Sequence, residues 1–319
     1  MQATIDRALG GESTSDARAV RPRHRSSGAL RFLLPALILY IGVFVVPAVG
    51  SIPLSFTNWN GVSRLVFDGL ANFRNVILSV RFRDALAHNA IMLVAFALGG
   101  NAIALGVALL INRRPFGYRV YRTLIFLPVI LSLTATGFIW SVILNPQIGL
   151  LNPALKAIGL GFIHPLWLAS PTLALASVIV VSWWQWGGVP VVVYEAGLKV
   201  IPRELLDSAE VDGASPFARL RHVVLPLLRP AISINAILTV VTVFQSFAVV
   251  FVLEGVEGAP NFGTDVAGTL IYRTAFGLGT YGATSNLGFA EANAVCVMVV
   301  VGIGLLLIQS YFRRRMVDF

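Results

Sequence analysis

The sequence predicts an all-α integral membrane protein with six transmembrane helices and both termini on the cytoplasmic side. Three observations predict it. The 319 residues are 56% hydrophobic and only 12% charged, with a mean hydropathy of +0.79, whereas soluble domains average roughly half apolar and a quarter charged. The apolar residues come in runs of about 20, the length a helix needs to cross about 30 Å of hydrocarbon. The basic residues are spread unevenly over the segments that join those runs. One membrane domain accounts for the length more simply than one or two soluble ones.

The elements follow in chain order. Residues 1–30 are polar and carry Arg18, Arg21, Arg23 and Arg25, with no short apolar core and small-residue cleavage site. They read as a disordered basic cytoplasmic tail and not as a signal peptide. The first apolar run, about Phe32 to Phe56, holds Pro35, Pro47 and Pro53, and Pro47 is placed to kink a helix. The second, about Ala90 to Ile111, has small residues at Gly100, Ala102, Ala104 and Gly106 that allow close helix approach. The third is about Thr123 to Leu144, and the fourth, about Leu173 to Tyr194, contains the cluster Ser182, Trp183, Trp184, Gln185 and Trp186. The fifth is about Ala231 to Leu253. The sixth, about Phe289 to Ile308, holds the single cysteine, Cys296, a small packing residue with no disulfide to form. The membrane domain is therefore expected over 31–315, with a cytoplasmic loop at about 197–228 and a short cytoplasmic tail at 316–319.

Charge sets the orientation. With the N-terminus inside, six crossings return the C-terminus to the same side. The outer segments then hold Arg64, Arg74, Arg81, Arg83, Lys156 and Arg273, which leaves 18 of the 24 basic residues inside. The net charge of +9 is explained by this asymmetry beside an anionic inner leaflet. Nucleic-acid binding would need a basic folded face interleaved with aromatics, and the sequence has none.

The most polar run of the second half is the cytoplasmic stretch from Glu204 to Pro230, which reads as two short helices around a turn. Pro202 suits a first turn, Glu204 and Asp207 favour the positive helix N-terminus, and Leu205, Leu206 and Ala209 form an apolar stripe. Gly213 ends the first helix, as glycine does where the backbone must turn left-handed. Ser215 and Pro216 start a second helix, which carries Phe217, Leu220, Val223 and Val224 and is expected to break at Pro226.

This stretch resembles the signature loop of permease subunits of bacterial ABC importers, whose pattern is E-A-A, three residues, G, nine residues, I, one residue, L-P. Asp207, Ser208 and Ala209 fall on E-A-A, Gly213 on the glycine, Val223 on the isoleucine, and Leu225 and Pro226 on L-P. The departures are Asp207 for glutamate and Ser208 for alanine. Asp212, Gly213, Ala214 and Pro230 further resemble the carbohydrate-uptake branch, the maltose-type and glycerol-3-phosphate-type permeases. Three outer segments resemble elements of the same subunits: "FDGLANFRNVI" (67–77), "GLLNPALKAIGL" (149–160) and "TDVAGTLIYRTAF" (264–276).

The resemblance implies a type I ABC importer permease fold and a division of labour. Neither lysine, Lys156 or Lys199, follows a glycine as a phosphate-binding loop requires. ATP and Mg would be used by a separate dimer of ATPase subunits, and this chain would be a non-catalytic subunit that binds no cofactor. In the family the loop helix sits in a cleft of the ATPase and carries its closure to the spans. Glu204, Asp207, Ser208, Ala209, Asp212, Gly213, Leu225 and Pro226 are the coupling residues so implied. A second permease, normally a different chain, and an extracytoplasmic solute-binding protein complete the assembly in a bacterial cytoplasmic (inner) membrane. The outer loops Thr57 to Asn89, Asn145 to Thr172 and Glu254 to Gly288 would receive the binding protein.

For the pathway, sugars offer hydroxyls to amides and flat C–H faces to aromatic rings. Trp183, Gln185, Trp186, Phe244, Gln245 and Asn293 are the lining candidates, with Asn101, Asn235 and Ser246 also polar within runs. Tryptophan near a span end is also an ordinary interfacial anchor, and an intramembrane amide is ordinary interhelical glue. The alternative class is an ion-coupled secondary transporter of small polar solutes, which would place ionisable groups deep in the bilayer. Glu195, Glu254 and Glu291 fall toward run ends instead. A membrane enzyme would need a clustered constellation, and His24, His88, His164 and His222 are scattered, so ordinary surface roles are expected for all four.

Overall fold

The computed structural model describes residues 26–160, 162, 165–279 and 285–314, and side chains from Phe32 onward. His24, His164, most of the expected N-terminal tail and the expected C-terminal tail lie outside the described residues. The chain divides into two units, residues 1–49 and 50–319. In the first, α1 (Ser26–Tyr40) begins within the stretch expected to be tail, passes Pro35 and leads into a π-turn at Ile41–Val45. α2 (Val46–Leu54) follows, with Pro47 as its second residue. Proline lacks an N–H and crowds the carbonyl four residues back, and a widened turn just before it relieves both problems. No side chain from Phe32 to Val49 is buried.

The second unit is all-helical apart from an isolated antiparallel bridge between Thr57 and Phe67. α3 (Ala71–Leu78) presents buried Asn72, which donates to the carbonyls of Ser55 at 3.1 Å and Thr57 at 2.8 Å. Ser79 then caps α4 (Val80–Val94), and a π-turn at Ala95–Gly100 joins it to α5 (Asn101–Asn112) as one 33-residue helix. α6 (Tyr118–Ile130) and α7 (Leu133–Ile143) are bent by 102°. Pro128 weakens the end of α6, Leu131 turns extended (ψ 143), and the Ser132 hydroxyl accepts from Ala135 N–H to start α7.

After α8 (Leu151–Ala157), α9 (Ala174–Trp186) and α10 (Gly188–Val200) meet at 48° across Gly187. A Cβ at Gly188 would lie 2.7 Å from the Ile125 carbonyl, so only glycine lets α10 come this close to α6. The polar loop holds α11 (Arg203–Val211), α12 (Pro216–Arg219), a π-turn at Leu220–Val224 and α13 (Leu225–Leu227). α14 (Arg229–Phe244) leaves it at 71°, and α15 (Phe247–Glu254), α16 (Ala267–Phe276) and α17 (Leu287–Arg313) complete the chain.

Among the described residues, three helical segments are long and apolar enough to cross a bilayer alone, Phe32–Leu54, Val80–Asn112 and Leu287–Arg313, and three more qualify only as bent pairs. Several expectations from the sequence are corrected. The third run is not one helix, because of the 102° bend, the fourth bends by 48° at Gly187, and the fifth is divided at Gln245 and Ser246. Nor does Pro226 break its helix: Leu225 N–H reaches back to the Leu220 carbonyl, and the widened turn accommodates the proline as it does at Pro47. The break falls at Leu228 (φ −81, ψ 0), before Pro230 starts α14.

Three buried clusters hold the unit together. One joins α4, α7, α9, α14 and α15 through Met92, Val178, Val181, Val243 and Val250. A second joins α5, α10 and the polar loop through Ala108, Val191, Leu198, Val224 and Leu228. The third joins α3, α4, α16 and α17 through Val76, Phe82, Leu270 and Ala292. Asn89, 1% exposed, ties the first to α16: its amide donates to the Val243 carbonyl at 3.2 Å and accepts from Ala267 N–H at 2.9 Å. Asn89→Leu keeps the volume but leaves Ala267 N–H unpaired, while the Val243 carbonyl keeps Ser246 N–H at 3.3 Å, at a cost on the order of 1–3 kcal/mol. The midpoint of thermal unfolding in detergent falls accordingly, and an unchanged midpoint would show that Asn89 holds nothing.

Candidate functional site

Two features stand out, a polar loop that projects from the fold and a cavity among the helices. In the loop, Gly213 has φ +76, and the turn it makes is completed by two bonds. Ala214 N–H donates to the Ala209 carbonyl at 2.9 Å and Gly213 N–H to that of Glu210 at 3.0 Å. This is the Schellman closure of α11, and it needs a left-handed residue at that position. Ser215 caps α12 by accepting from Ala218 N–H, with Pro216 as first residue, as the sequence predicted. Arg219 pairs with Glu210 and clamps α12 to α11.

The loop has an inner and an outer face. Leu206 and Leu220 pack on the buried cluster of Ala108, Leu198, Ile201, Val224 and Leu228, so the loop is seated on α5, α10 and the start of α14. Leu205, expected in the same stripe as Leu206 and Ala209, is exposed instead. It shares the outer surface with Glu204, Asp207, Ser208, Asp212 and Phe217. The Ser208 hydroxyl is absorbed by the Glu204 carbonyl at 2.7 Å, one turn back. Leu225 and Pro226 are half-buried at the base of the loop.

The cavity, of about 380 Å³, is walled by α5, α6, α9, α10 and α14 and is mostly apolar. Phe96, Trp183, Trp184 and Trp186 are its aromatic lining, and Asn101, Asn235, Thr239 and Thr242 its polar lining. Trp183 is seated by absence of side chains: a Cβ at Gly99 would lie 2.6 Å from its ring, and one at Gly100 would lie 3.0 Å from its Nε1. Phe96 meets the same ring edge-on at 6.0 Å. The Asn101 amide donates to the Phe96 carbonyl and the Thr239 hydroxyl, each at 3.1 Å, and accepts from Tyr194 at 3.2 Å. Trp183 Nε1 and Asn235 Oδ1 are buried with no hydrogen-bond partner among the described residues.

Of the polar and aromatic residues singled out from the sequence, this cavity brings together Trp183 and Trp186 with Trp184, Asn101 and Asn235. Gln185, 2% exposed, turns away and donates to the Leu131 carbonyl at 3.1 Å, the group freed by the bend between α6 and α7. Phe244 packs on the first cluster, and Gln245 is exposed at the break between α14 and α15. Asn293 is buried in α17 and donates to the Phe289 carbonyl one turn back. Thr239 and Thr242, which do line the cavity, carry no signal in sequence beyond a hydroxyl in an apolar run.

Two polar clusters also escaped sequence reasoning. Glu195 is buried inside α10 and pairs with Lys199 at 2.7 Å and Arg122 at 3.2 Å. Asp265, 1% exposed, receives Arg273 at 2.8 Å and the Thr269 hydroxyl at 2.6 Å, and its carbonyl lies 2.8 Å from the His88 ring. His88 is therefore half-buried and structural, not a surface residue, whereas His222 is exposed. Among the described residues no group of three or more His, Cys, Asp or Glu could hold a metal ion.

Comparison with known proteins accords with these features. Residues 100–318 match the family model described as "Binding-protein-dependent transport system inner membrane component". YurN of Bacillus subtilis, a "Probable ABC transporter permease protein", is 31% identical over 88% of this chain and 94% of its own. MsmF of Streptococcus mutans, the "Multiple sugar-binding transport system permease protein", is 29% identical over 85% of this chain and 90% of its own. Among solved structures, a chain of a bacterial ABC transporter involved in the import of the acidic polysaccharide alginate superposes with a TM-score of 0.75. It is 24% identical and is matched over 91% of this chain and 96% of that one, a likeness of fold.

The placement of Gln185 makes a testable distinction. Gln185→Leu leaves the Leu131 carbonyl unpaired in an apolar setting and lowers stability by about 1–3 kcal/mol. Trp186→Phe, at the cavity wall, changes the thermal midpoint far less. Equal midpoints for the two variants in detergent would contradict the structural role of Gln185.

Proposed function

The chain belongs to the family of binding-protein-dependent transport system inner membrane components, and from that premise we propose that it is one permease of an ATP-driven importer of a sugar, oligosaccharide or polyol phosphate. The observation that carries the reading is the loop of residues 203–227. It has the family's signature spacing, a closed Schellman turn at Gly213, an inner face seated on the helices, and an exposed outer face of Glu204, Leu205, Asp207 and Phe217. A helix that offers carboxylates and a few apolar groups at the tip of a rigid loop suits a cleft on another protein.

On this reading the three long helices and three bent pairs are six spans, with both termini in the cytoplasm by the bias of basic residues. The membrane is the bacterial inner membrane. Glu204, Asp207, Ser208, Ala209, Asp212, Gly213, Leu225 and Pro226 form or support the contact with an ATPase dimer that uses ATP and Mg. A second permease supplies the other half of the pathway, and an extracytoplasmic binding protein delivers the solute. The 380 Å³ cavity, with Trp183 and Trp186 beside amide and hydroxyl groups, offers the mixed surface a carbohydrate needs. The names of MsmF and of AmyD from Thermoanaerobacterium thermosulfurigenes, the latter a "Probable starch degradation products transport system permease protein" 29% identical over 89% of this chain, point to the same substrate class.

Uptake by the reconstituted importer tests the loop. Nothing within this chain lies within 4 Å of a Cβ at Gly213, so the constraint the chain itself places there is the backbone angle. Gly213→Asn, which adopts the left-handed region readily, retains uptake, whereas Gly213→Val, which strains it by about 1–3 kcal/mol, loses most of it while membrane insertion stays normal. Normal uptake by Gly213→Val would remove the loop from the coupling path. Asp207→Ala weakens the stimulation of ATP hydrolysis by loaded binding protein, and unchanged stimulation would show that carboxylate to be dispensable.

A further inference from the structure

Where the polar loop meets α5, α6 and α10 lies a second cavity, of about 370 Å³, that the signature loop and the proposed pathway leave unused. Four cationic side chains, Arg114, Arg122, Lys199 and Arg203, line it with one carboxylate, that of Glu195. Glu195 is already ion-paired with Lys199 at 2.7 Å and Arg122 at 3.2 Å. Arg114 and Arg203 have no ion-pair partner among the described residues. Arg114 stands at the mouth on a left-handed backbone (φ 50), just past the end of α5. One carboxylate against four cations leaves a positive concavity, which collects anions.

The surroundings say which kind of anion. The turn between α5 and α6 exposes Phe116 completely, and Tyr121 and Leu124 follow it on α6 at 54% and 58% exposure. Aromatic and apolar side chains beside arginines are the pattern of a segment at the level of lipid headgroups. Ile111, Leu198 and Ile201 give the cavity an apolar floor behind its basic rim. We propose that this cavity binds the phosphate headgroup of an anionic phospholipid of the inner leaflet, held by Arg114 and Arg203 with Arg122 and Lys199 behind them. Its cytoplasmic address rests on the orientation given under Proposed function. The headgroup ties the α5–α6 turn and α10 to the first residue of α11, so the seat of the polar loop becomes sensitive to membrane charge.

The competing account is that these cations only face the C-terminal ends of α5 and α10, whose carbonyls carry partial negative charge. That account requires no ligand. The full-length chain, purified in zwitterionic detergent, is titrated with dihexanoyl phosphatidylglycerol, with dihexanoyl phosphatidylcholine in parallel. Phosphatidylglycerol binds saturably and phosphatidylcholine does not. Arg114→Gln combined with Arg203→Gln weakens the binding roughly thirtyfold, and Arg114→Lys combined with Arg203→Lys restores most of it, which a folding defect would not. Equal binding by wild type and the double glutamine variant overturns the proposal, as does equal binding of phosphatidylcholine. Displacement of phosphatidylglycerol by an equal concentration of inorganic phosphate also overturns it, by showing a site for a free anion and not for a lipid. The assay needs no ATPase, so its failure and a failure of the coupling reading are told apart.

Discussion

A backbone carbonyl or N–H released where a helix breaks in apolar surroundings must find another partner, and this protein meets that constraint with buried amide side chains. Gln185 takes the Leu131 carbonyl at the sharpest bend. Asn89 takes Val243 O beside the break between α14 and α15, together with Ala267 N–H. Asn101 reaches the Phe96 carbonyl within a π-turn, Asn235 the Pro190 carbonyl at 3.3 Å, and Asn72 two carbonyls past the end of α2. The bonds of Gln185, Asn89 and Asn72 cross from one helix to an irregularity elsewhere in the chain, whereas that of Asn101 stays within its own helix and that of Asn235 reaches the first turn of α10.

The same economy of shape governs the helix contacts. Gly188 lets α10 meet the backbone of α6, and a Cβ at Gly197 would stand 2.9 Å from both Leu228 and Ala231 at the bend that begins α14. Leu206 and Leu220 of the polar loop rest on the cluster that contains Leu228. A push on the outer face of α11 is therefore delivered to α10 and α14 through packed side chains, with little slack to absorb it. These are two of the helices that wall the 380 Å³ cavity.

Much of this was legible in the sequence because it depends on local rules. The spacing of Gly213, Ser215 and Pro216 fixes a turn and a cap, and the structure has both. The apolar runs mark the helices that face hydrocarbon, since a greasy residue in a long run has few other places to be. What the sequence hid depends on neighbours. Pro226 reads as a breaker, yet a π-turn just before it absorbs the proline. Gln185 sits among three tryptophans and reads as a ligand for sugar, yet it faces a carbonyl of another helix, and nothing local says which way it turns. Glu195 looks like an end residue until Arg122 is folded against it.

The central claim is that the outer face of α11 docks on an ATP-hydrolysing subunit. A photo-crosslinking residue in place of Leu205, exposed on that face, tests it in native membranes, with a second one in place of Val62, exposed on the segment before α3, as the opposite-side control. The account predicts that an ABC ATPase, identified by mass spectrometry of the adduct, is captured from position 205 and not from position 62. Capture from position 62, or from neither while the importer transports normally, would contradict it.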